Sequence, residues 1–246
     1  MRIHEIITEA TLDLNQDVDF IYRTYFEATI IDVRRTEHIR KEWIKEDEFS
    51  TALLNSSVCK QANEINPCKI YVNRQDFSYN PLWKELDFGL DRAVINALLF
   101  KFAGDLNKLI EVVSANNKSR ILQQFSPRFI RGAIAHELAH WVRDSLHNSH
   151  IERMSARSKA AGKRERPRGK NQYASSIELD SMIHEMLQVR RNISDEKWDS
   201  LTLSELGKIT ALNSQIESID EKDIVQFIQT LKKRMAREGL LGKNMR

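Results

Sequence analysis

Residues 126–150 read S-P-R-F-I-R-G-A-I-A-H-E-L-A-H-W-V-R-D-S-L-H-N-S-H, and the fold of the chain is organised around this stretch. Ser126 is a favourable helix N-cap, and Pro127 suits the first helical position because its φ angle is already helical. Apolar residues then recur at helical spacing from Ile130 to Val142. The pattern predicts a helix that begins at Pro127 and lies in the core.

The middle of this helix carries an H-E-x-x-H motif formed by His136, Glu137 and His140. Side chains four residues apart project from the same face of a helix, so both imidazoles can reach one tetrahedral zinc ion. Glu137 points roughly a hundred degrees away, where it can take a proton from a water held at the metal. The motif therefore predicts two zinc ligands and a general base. The alternative is a core helix whose histidines bond only to backbone groups.

Composition narrows the class of protein. The chain has 246 residues, of which 41% are hydrophobic, and a net charge of +3. This content supports a folded core, and the small net charge points to no particular partner. The sequence has no apolar run of about 18 residues and no signal peptide, so we expect a soluble cytoplasmic protein without membrane contact. Cys59 and Cys68 are expected to be buried free thiols in a reducing compartment.

The elements around the motif helix predict an α+β fold that is mainly helical and has a small β-sheet. We expect helix over 16–57, a strand at 68–72 and a turn at Asn80-Pro81. Residues 94–102 and 108–114 are expected to form a hairpin or two strands of a sheet, and a helix over 91–102 is the alternative. The C-terminal part contains capping boxes at 202–205 and 218–221. Its last helix is expected to bury Ile224, Val225, Phe227, Ile228 and Leu231 and to end near Gly239.

The chain divides into an N-terminal helical region (1–60), a central domain (61–190) and C-terminal helices (191–246). Within the central domain, residues 151–173 hold eight Lys or Arg against two Glu, a net charge of +6. With two glycines and a proline, this segment is typical of an exposed basic loop. Residues 153–170 could also bind phosphate or nucleic acid, although no interleaved aromatic residues are present to stack on bases.

A catalytic zinc site usually has a third protein ligand. His147 and His150 are close in sequence, but on an unbroken helix His147 lies roughly 10 Å beyond His140 along the axis. Glu178 is better placed, because it opens a new helix after a loop long enough to fold back. Asp180 is the alternative acid on that helix.

The combination of H-E-L-A-H at 136–140, a loop, and E-L-D-S-M-I-H-E at 178–185 resembles the gluzincin branch of the zincin metallopeptidases. It is similar to small H-E-x-x-H proteins of tailed phages and to ImmA/IrrE-type peptidases, over residues 126–188. The resemblance implies Zn²⁺ held by His136, His140 and Glu178, with Glu137 as general base. It implies a peptidase that acts on a protein or peptide substrate, in the host cytoplasm if phage-encoded.

One position departs from the gluzincin pattern. Many members place an aspartate four residues after the ligand glutamate, where it orients a histidine, but Met182 stands there in this chain. Asp180 could take over that role, or could itself be the ligand with His184 behind it. Tyr173 and His184 are candidates for a donor to the oxyanion. The alternative function is a structural or interaction protein, such as a virion component, with a non-catalytic zincin-like metal site.

Overall fold

A short helix and a π-helix open the described part of the chain. The computed structural model describes residues 13–27, 46–72, 74, 77–89, 127–146, 176–210, 212–219 and 221–245, without the side chains of 176–178, 214 and 218. Helix α1 is Asn15–Ile21, and the π-helix Tyr22–Phe26 continues it. Val18, Ile21 and Phe26 on its inner side are fully buried. This segment therefore closes one side of the core.

The described strands form a four-stranded sheet in the order β1-β2-β4-β3. They are β1 (Asp47–Ser50), β2 (Lys69–Val72), β3 (Ser78–Asn80) and β4 (Glu85–Phe88). The central strands β2 and β4 are parallel, and the edge strands β1 and β3 pair antiparallel to them. In the β2–β4 pair, Ile70 lies beside Leu86 and Val72 beside Phe88, and all four side chains are fully buried. Because successive side chains of a strand point to opposite faces, these residues give the sheet one apolar face.

The strand expected at 68–72 is confirmed as β2, and the expected turn connects β3 to β4. The continuous helix expected over 16–57 is wrong in its last part. There β1 pairs with β2 and buries Phe49 opposite Ile70, so a contact between distant residues overrides the local pattern. A separate helix α2 follows at Ser57–Ile65, capped by Ser56. The strand pair expected over 94–102 and 108–114 lies outside the described residues.

The motif stretch folds into helix α3, Pro127–Leu146, as predicted. Its uncharged middle is buried, and Ile134, Leu138 and Trp141 are fully inaccessible to solvent. The indole Nε1 of Trp141 donates to the main-chain oxygen of Asn66 at 3.0 Å, which fixes α3 to the end of α2. A buried indole N–H needs such an acceptor. Helix α3 therefore lies in the core rather than at the surface.

Helix α4, Ser176–Arg191, packs along α3. Gly132 on α3 faces Glu185 on α4, and Arg143 on α3 is paired with Asp180. Residue numbers rise along one helix as they fall along the other, so the two helices are antiparallel. A Cβ at position 132 would lie 2.9 Å from Cγ of Glu185, a distance that real Cβ atoms do not adopt. The missing side chain of Gly132 therefore lets the helices approach at this level.

Four further helices complete the described chain: α5 (Asp195–Ser200), α6 (Leu203–Ile209), α7 (Leu212–Ser218) and α8 (Glu221–Arg237). The capping box at 202–205 is confirmed at the start of α6, where Thr202 and Glu205 bond reciprocally. The second box is wrong, because Ser218 ends α7 and α8 begins only at Glu221. Because the helix is interrupted here, α7 and α8 can each direct their apolar residues toward the core.

The end of α8 is confirmed near Gly239, whose φ of 67° is in the left-handed region that favours glycine. The N–H of Leu240 donates to Met235 at 2.8 Å and that of Gly239 to Ala236 at 3.3 Å, which is a Schellman motif. Most of the expected apolar face also lies inward. Val225 is the exception, with 66% of its surface exposed.

The buried apolar residues fall into two clusters. One lies between α1, the sheet, α2 and α3, and the other lies between α4 and the C-terminal helices. The coarse prediction of a mainly helical α+β protein with a small sheet is confirmed. Within the described ranges, none of the helices has both the length and the apolar character of a membrane span.

Cys59 and Cys68 are free and buried, as predicted. Burial raises the pKa of both thiols, that of Cys68 to about 12. Both side chains therefore stay protonated near neutral pH and act as small apolar residues of the first cluster.

We expect Gly132→Ala to destabilise the protein by about 1 kcal/mol. Alanine gains about 1 kcal/mol of helix propensity, but overpacking against the buried Glu185 costs roughly 1–3 kcal/mol. Urea unfolding of the purified variant measures the difference. Gly207→Ala on α6 is the comparison variant. The three atoms nearest to its new Cβ, at 2.0–3.2 Å, all belong to the side-chain amide of Asn213, and we expect this amide to rotate away. A Gly132 variant as stable as this control would contradict the close-approach argument.

Candidate metal centre

The two motif histidines converge on α3. Their Nε2 atoms are 3.2 Å apart, and the ring centroids are 4.9 Å apart at an interplanar angle of 63°. His136 is buried with 7% of its surface exposed, whereas His140 is partly exposed. The pair therefore brings two ring nitrogens to one point, beside the partly exposed His140.

This separation fits a zinc ion. Two ligands of a tetrahedral zinc with bonds of 2.0–2.1 Å lie about 3.3 Å from each other. The observed 3.2 Å between the Nε2 atoms matches that requirement without any change of rotamer. The same distance also fits a single N–H···N hydrogen bond between the two rings. Carboxylates near the rings therefore help to distinguish a metal site from such a hydrogen bond.

Glu185 is the carboxylate that α4 brings to His136. Its Oε2 lies 3.7 Å from Nδ1 of His136, which is an ion-pair distance, and the residue is 2% exposed. A carboxylate near Nδ1 favours the tautomer with its proton on that nitrogen and leaves the lone pair of Nε2 for a metal. Sequence reasoning missed Glu185, although it lies two helical turns after Glu178 and shares its helix face.

Asp180, the alternative acid, has other partners. Its Oδ1 accepts from Arg234 of α8 at 2.6 Å, and its Oδ2 lies 3.7 Å from Arg143 of α3. Burial lowers the pKa of Arg143, and the Asp180 charge opposes that shift. These contacts tie α3, α4 and α8 together at one level. They give Asp180 a role in packing rather than contact with His136.

His184 lies in the interior next to this network, with 4% of its surface exposed. Burial, together with the charges of Arg143, His136 and Arg234, lowers its pKa to about 3. The imidazole is therefore neutral near pH 7 and keeps one N–H donor. His184 therefore lies in the interior, within electrostatic range of His136.

The remaining predicted site residues are described only in part. Glu137 is half-buried on α3, directly after His136. The main chain of Glu178 is in the first turn of α4, but its side chain lies outside the described part. Tyr173, His147, His150 and the basic segment 151–173 also lie outside the described residues. Their assignments stay predictions.

Within the part of the chain that the structure describes, no group of three or more His, Cys, Asp or Glu side chains is arranged to hold a metal. The hydroxyl of Ser181, four residues before Glu185 on α4, is fully buried and has no hydrogen-bond partner among the described residues.

Comparisons with known proteins return no match for this chain: no family model, no curated protein and no solved structure is significantly similar to it. The interpretation of the site therefore depends on its own residues and geometry.

We expect His184 to make the native state sensitive to acid. The unfolded chain binds a proton at His184 near pH 6.5, whereas the folded chain does so only near pH 3. Stability from this difference is complete above about pH 6.5 and is lost as the pH falls toward 3, by up to about 1.4 kcal/mol per pH unit.

Urea unfolding from pH 7 to pH 4 in the presence of a chelator measures this loss. In His184→Gln, free energy of unfolding should fall less steeply with acid than in the wild type. Parallel pH curves for the two proteins would show that His184 does not carry the effect.

Proposed function

We propose that this protein is a zinc-dependent peptidase of the gluzincin type that hydrolyses peptide bonds in a protein or peptide substrate. The main support is the 3.2 Å approach of the Nε2 atoms of His136 and His140 on one helix that also carries Glu137. Glu185 adds to it, because a carboxylate at Nδ1 of His136 is the usual partner of a metal-bound imidazole.

The residues divide the work as follows. A zinc ion at the histidine pair would supply a Lewis acid that polarises the carbonyl of the scissile amide. Glu137 would accept the proton of the attacking water and deliver it to the departing amine. Glu185 would hold the ring of His136 in position. Because His140 is partly exposed, the peptide would approach the site from its side.

For the third ligand we propose Glu178. It shares the α4 face of Glu185 and lies two turns away, about 10 Å along the axis. Because α3 and α4 are antiparallel, Glu178 lies in the direction of His140 from the level at which Glu185 faces His136. The choice of Glu178 as ligand rests on its resemblance to the gluzincin glutamate.

The state of the two cysteines bears on the cellular compartment of the protein. Two free, buried cysteines suit a reducing environment, so we propose that the protein works in the cytoplasm.

We expect purified wild-type protein to bind about one zinc per chain and to cleave an unstructured protein such as casein. Glu137→Gln should keep the metal and lose activity by roughly 10²–10⁴-fold, since general base catalysis is removed. His140→Ala should lose the metal as well. Elemental analysis and a fluorescent casein assay measure the two properties. Zinc bound by the wild type and by Glu137→Gln, with no cleavage by the wild type, would favour a non-catalytic metal site. Zinc retained in His140→Ala would refute the histidine site.

A second set of variants distinguishes the three acids of α4. Glu178→Ala should abolish stable zinc binding, because it removes a ligand. Glu185→Gln should weaken zinc binding by about 10–100-fold, as expected for a residue that orients a ligand. Asp180→Asn is the matched control, since it should lower stability and leave the zinc affinity of the folded protein unchanged. Competition with a chelator measures affinity, and an unchanged affinity in Glu178→Ala would exclude that ligand.

A further inference from the structure

Two large apolar side chains are exposed in the turn between β3 and β4. Leu82 is 81% exposed and Trp83 is 74% exposed, the two largest values among the large apolar residues that the structure describes. The other described tryptophans, Trp141 and Trp198, are buried, and the indole of each donates to a main-chain oxygen. Tryptophan is highly buried on average in folded proteins, so the exposure of Trp83 calls for a reason other than packing.

Hydrogen bonds hold the backbone of this turn. Oδ1 of Asn80 accepts from the main-chain N–H groups of Leu82 at 3.1 Å and Trp83 at 3.3 Å. Lys84 has a φ of 55°, in the left-handed region that non-glycine residues rarely adopt, and its main-chain oxygen accepts from the N–H of Lys69 at 3.0 Å. Because the backbone is already ordered, little conformational entropy is lost when a ligand binds the exposed side chains.

Two further exposed apolar residues lie at the same end of the sheet. Strands β2 and β4 are parallel and begin side by side, so the segment before β2 and the turn before β4 lie at one end. The segment before β2 contains Ile65, which is 47% exposed, and the exposed Pro67. We call these four residues, Ile65, Pro67, Leu82 and Trp83, the sheet-end surface.

The size of the sheet-end surface bears on what binds it. Its exposed apolar area is on the order of 400 Å², which is within the range of functional patches on monomeric proteins. A stable dimer buries about 800 Å² on each partner, so this surface is too small to hold a second copy of the chain. Two aromatic side chains of an extended polypeptide, which bury roughly 150–250 Å² each, match it.

The sheet is fixed to the helix that carries the histidine pair. The hydroxyl of Tyr79, directly before the turn in β3, donates to Oδ2 of Asp144 on α3 at 2.7 Å. Asp144 lies one helical turn after His140, and α3 rises roughly 12 Å from His136 to Asp144. An extended polypeptide of ten to fifteen residues spans roughly 33–50 Å. Such a chain is long enough to contact the sheet-end surface and the histidine pair together.

We infer that the sheet-end surface is a second binding site for the substrate, where apolar side chains of an unfolded polypeptide dock while another part of that chain is cleaved. The inference rests on the proposed peptidase function and adds the class of substrate to it. Folded proteins bury their large apolar side chains and do not present them to this surface. The enzyme therefore selects unfolded or unstructured segments.

The test compares the wild type with a double variant, Leu82→Ser with Trp83→Ser, in the zinc-loaded full chain with casein as substrate. KM should rise about 10-fold with kcat unchanged, because the variant loses binding that the ground state and the transition state share. The same two changes in Glu137→Gln should raise the Kd of fluorescein-labelled casein by the same factor, measured by anisotropy. This Kd should depend little on salt, since the contact is apolar.

Val225→Ser is the matched control. Val225 is also an exposed apolar residue, but it lies on α8 and not at the end of the sheet. Its replacement should leave KM and Kd for casein unchanged. Trp83→Ala alone carries the test if the double variant does not fold.

Two results would overturn the inference while the peptidase stands. One is a wild-type KM and Kd for casein in the double variant and in Trp83→Ala. The other is an equal loss in Val225→Ser.

Other occupants of the sheet-end surface are distinguished with the same double variant. A wild-type dimer in sedimentation that the variant loses would assign the surface to a second copy. Binding to phosphatidylcholine–phosphatidylserine vesicles that the variant loses would assign it to a lipid surface. Either result, with an unchanged Kd for casein, would overturn the inference. A wild type that binds no zinc and cleaves no casein would instead refute the proposed function and this inference with it.

Discussion

The antiparallel contact between α3 and α4 is the constraint on which the rest of the structure depends. Each of the two apolar clusters ends at one of these helices, so their contact joins the two halves of the described chain. The contact is close because Gly132 has no side chain, and Glu185 occupies the space that results. The same register brings Glu185 to His136 and Asp180 to Arg143. The packing of α3 against α4 therefore determines both the fold and the residues that surround the histidine pair.

The polar character of this interface argues for chemistry rather than stability. Buried ion pairs contribute little net stability, and apolar residues of similar volume often stabilise a protein more. The described α3–α4 contact nevertheless includes imidazoles, a carboxylate and a guanidinium that are all less than a tenth exposed, namely His136, Arg143, His184 and Glu185. They are concentrated near the H-E-x-x-H motif, whereas the apolar clusters occupy the interior to either side. Such a distribution is typical of a functional centre held within a stable frame.

Local features were predictable from the sequence and contacts between distant residues were not. Pro127 and the uncharged residues after it predict α3 because the signals for a helix lie within the helix itself. The same holds for the capping box of Thr202 and Glu205. Strand β1 was missed because its partner lies about twenty residues further on, and only the pairing of Phe49 with Ile70 makes it a strand. Propensity is a weak guide where such pairing decides.

Within the site, the two histidines and Glu137 follow from spacing on one helix. Glu185 could not be assigned in this way, because its role depends on the register of α4 against α3, and that register depends on the absence of a side chain at position 132. The spacing of known gluzincins directs attention to the fourth residue after Glu178, where Met182 is fully buried and apolar. In this chain the carboxylate lies three residues later and still reaches His136.

A ligand set divided between α3 and α4 has a thermodynamic consequence. If α3 supplies two ligands and α4 the third, the metal contacts both sides of the interface between the apolar clusters. The free energy of metal binding then also stabilises the packing of α3 against α4, because a ligand that binds only the native state stabilises that state. When no cation is bound, the buried carboxylates destabilise the interface, because each charge is removed from water and needs compensating partners within the protein. In the proposed enzyme, metal binding and the packing of α4 against α3 therefore form one equilibrium. The close approach of the two helices depends on the absence of a side chain at Gly132.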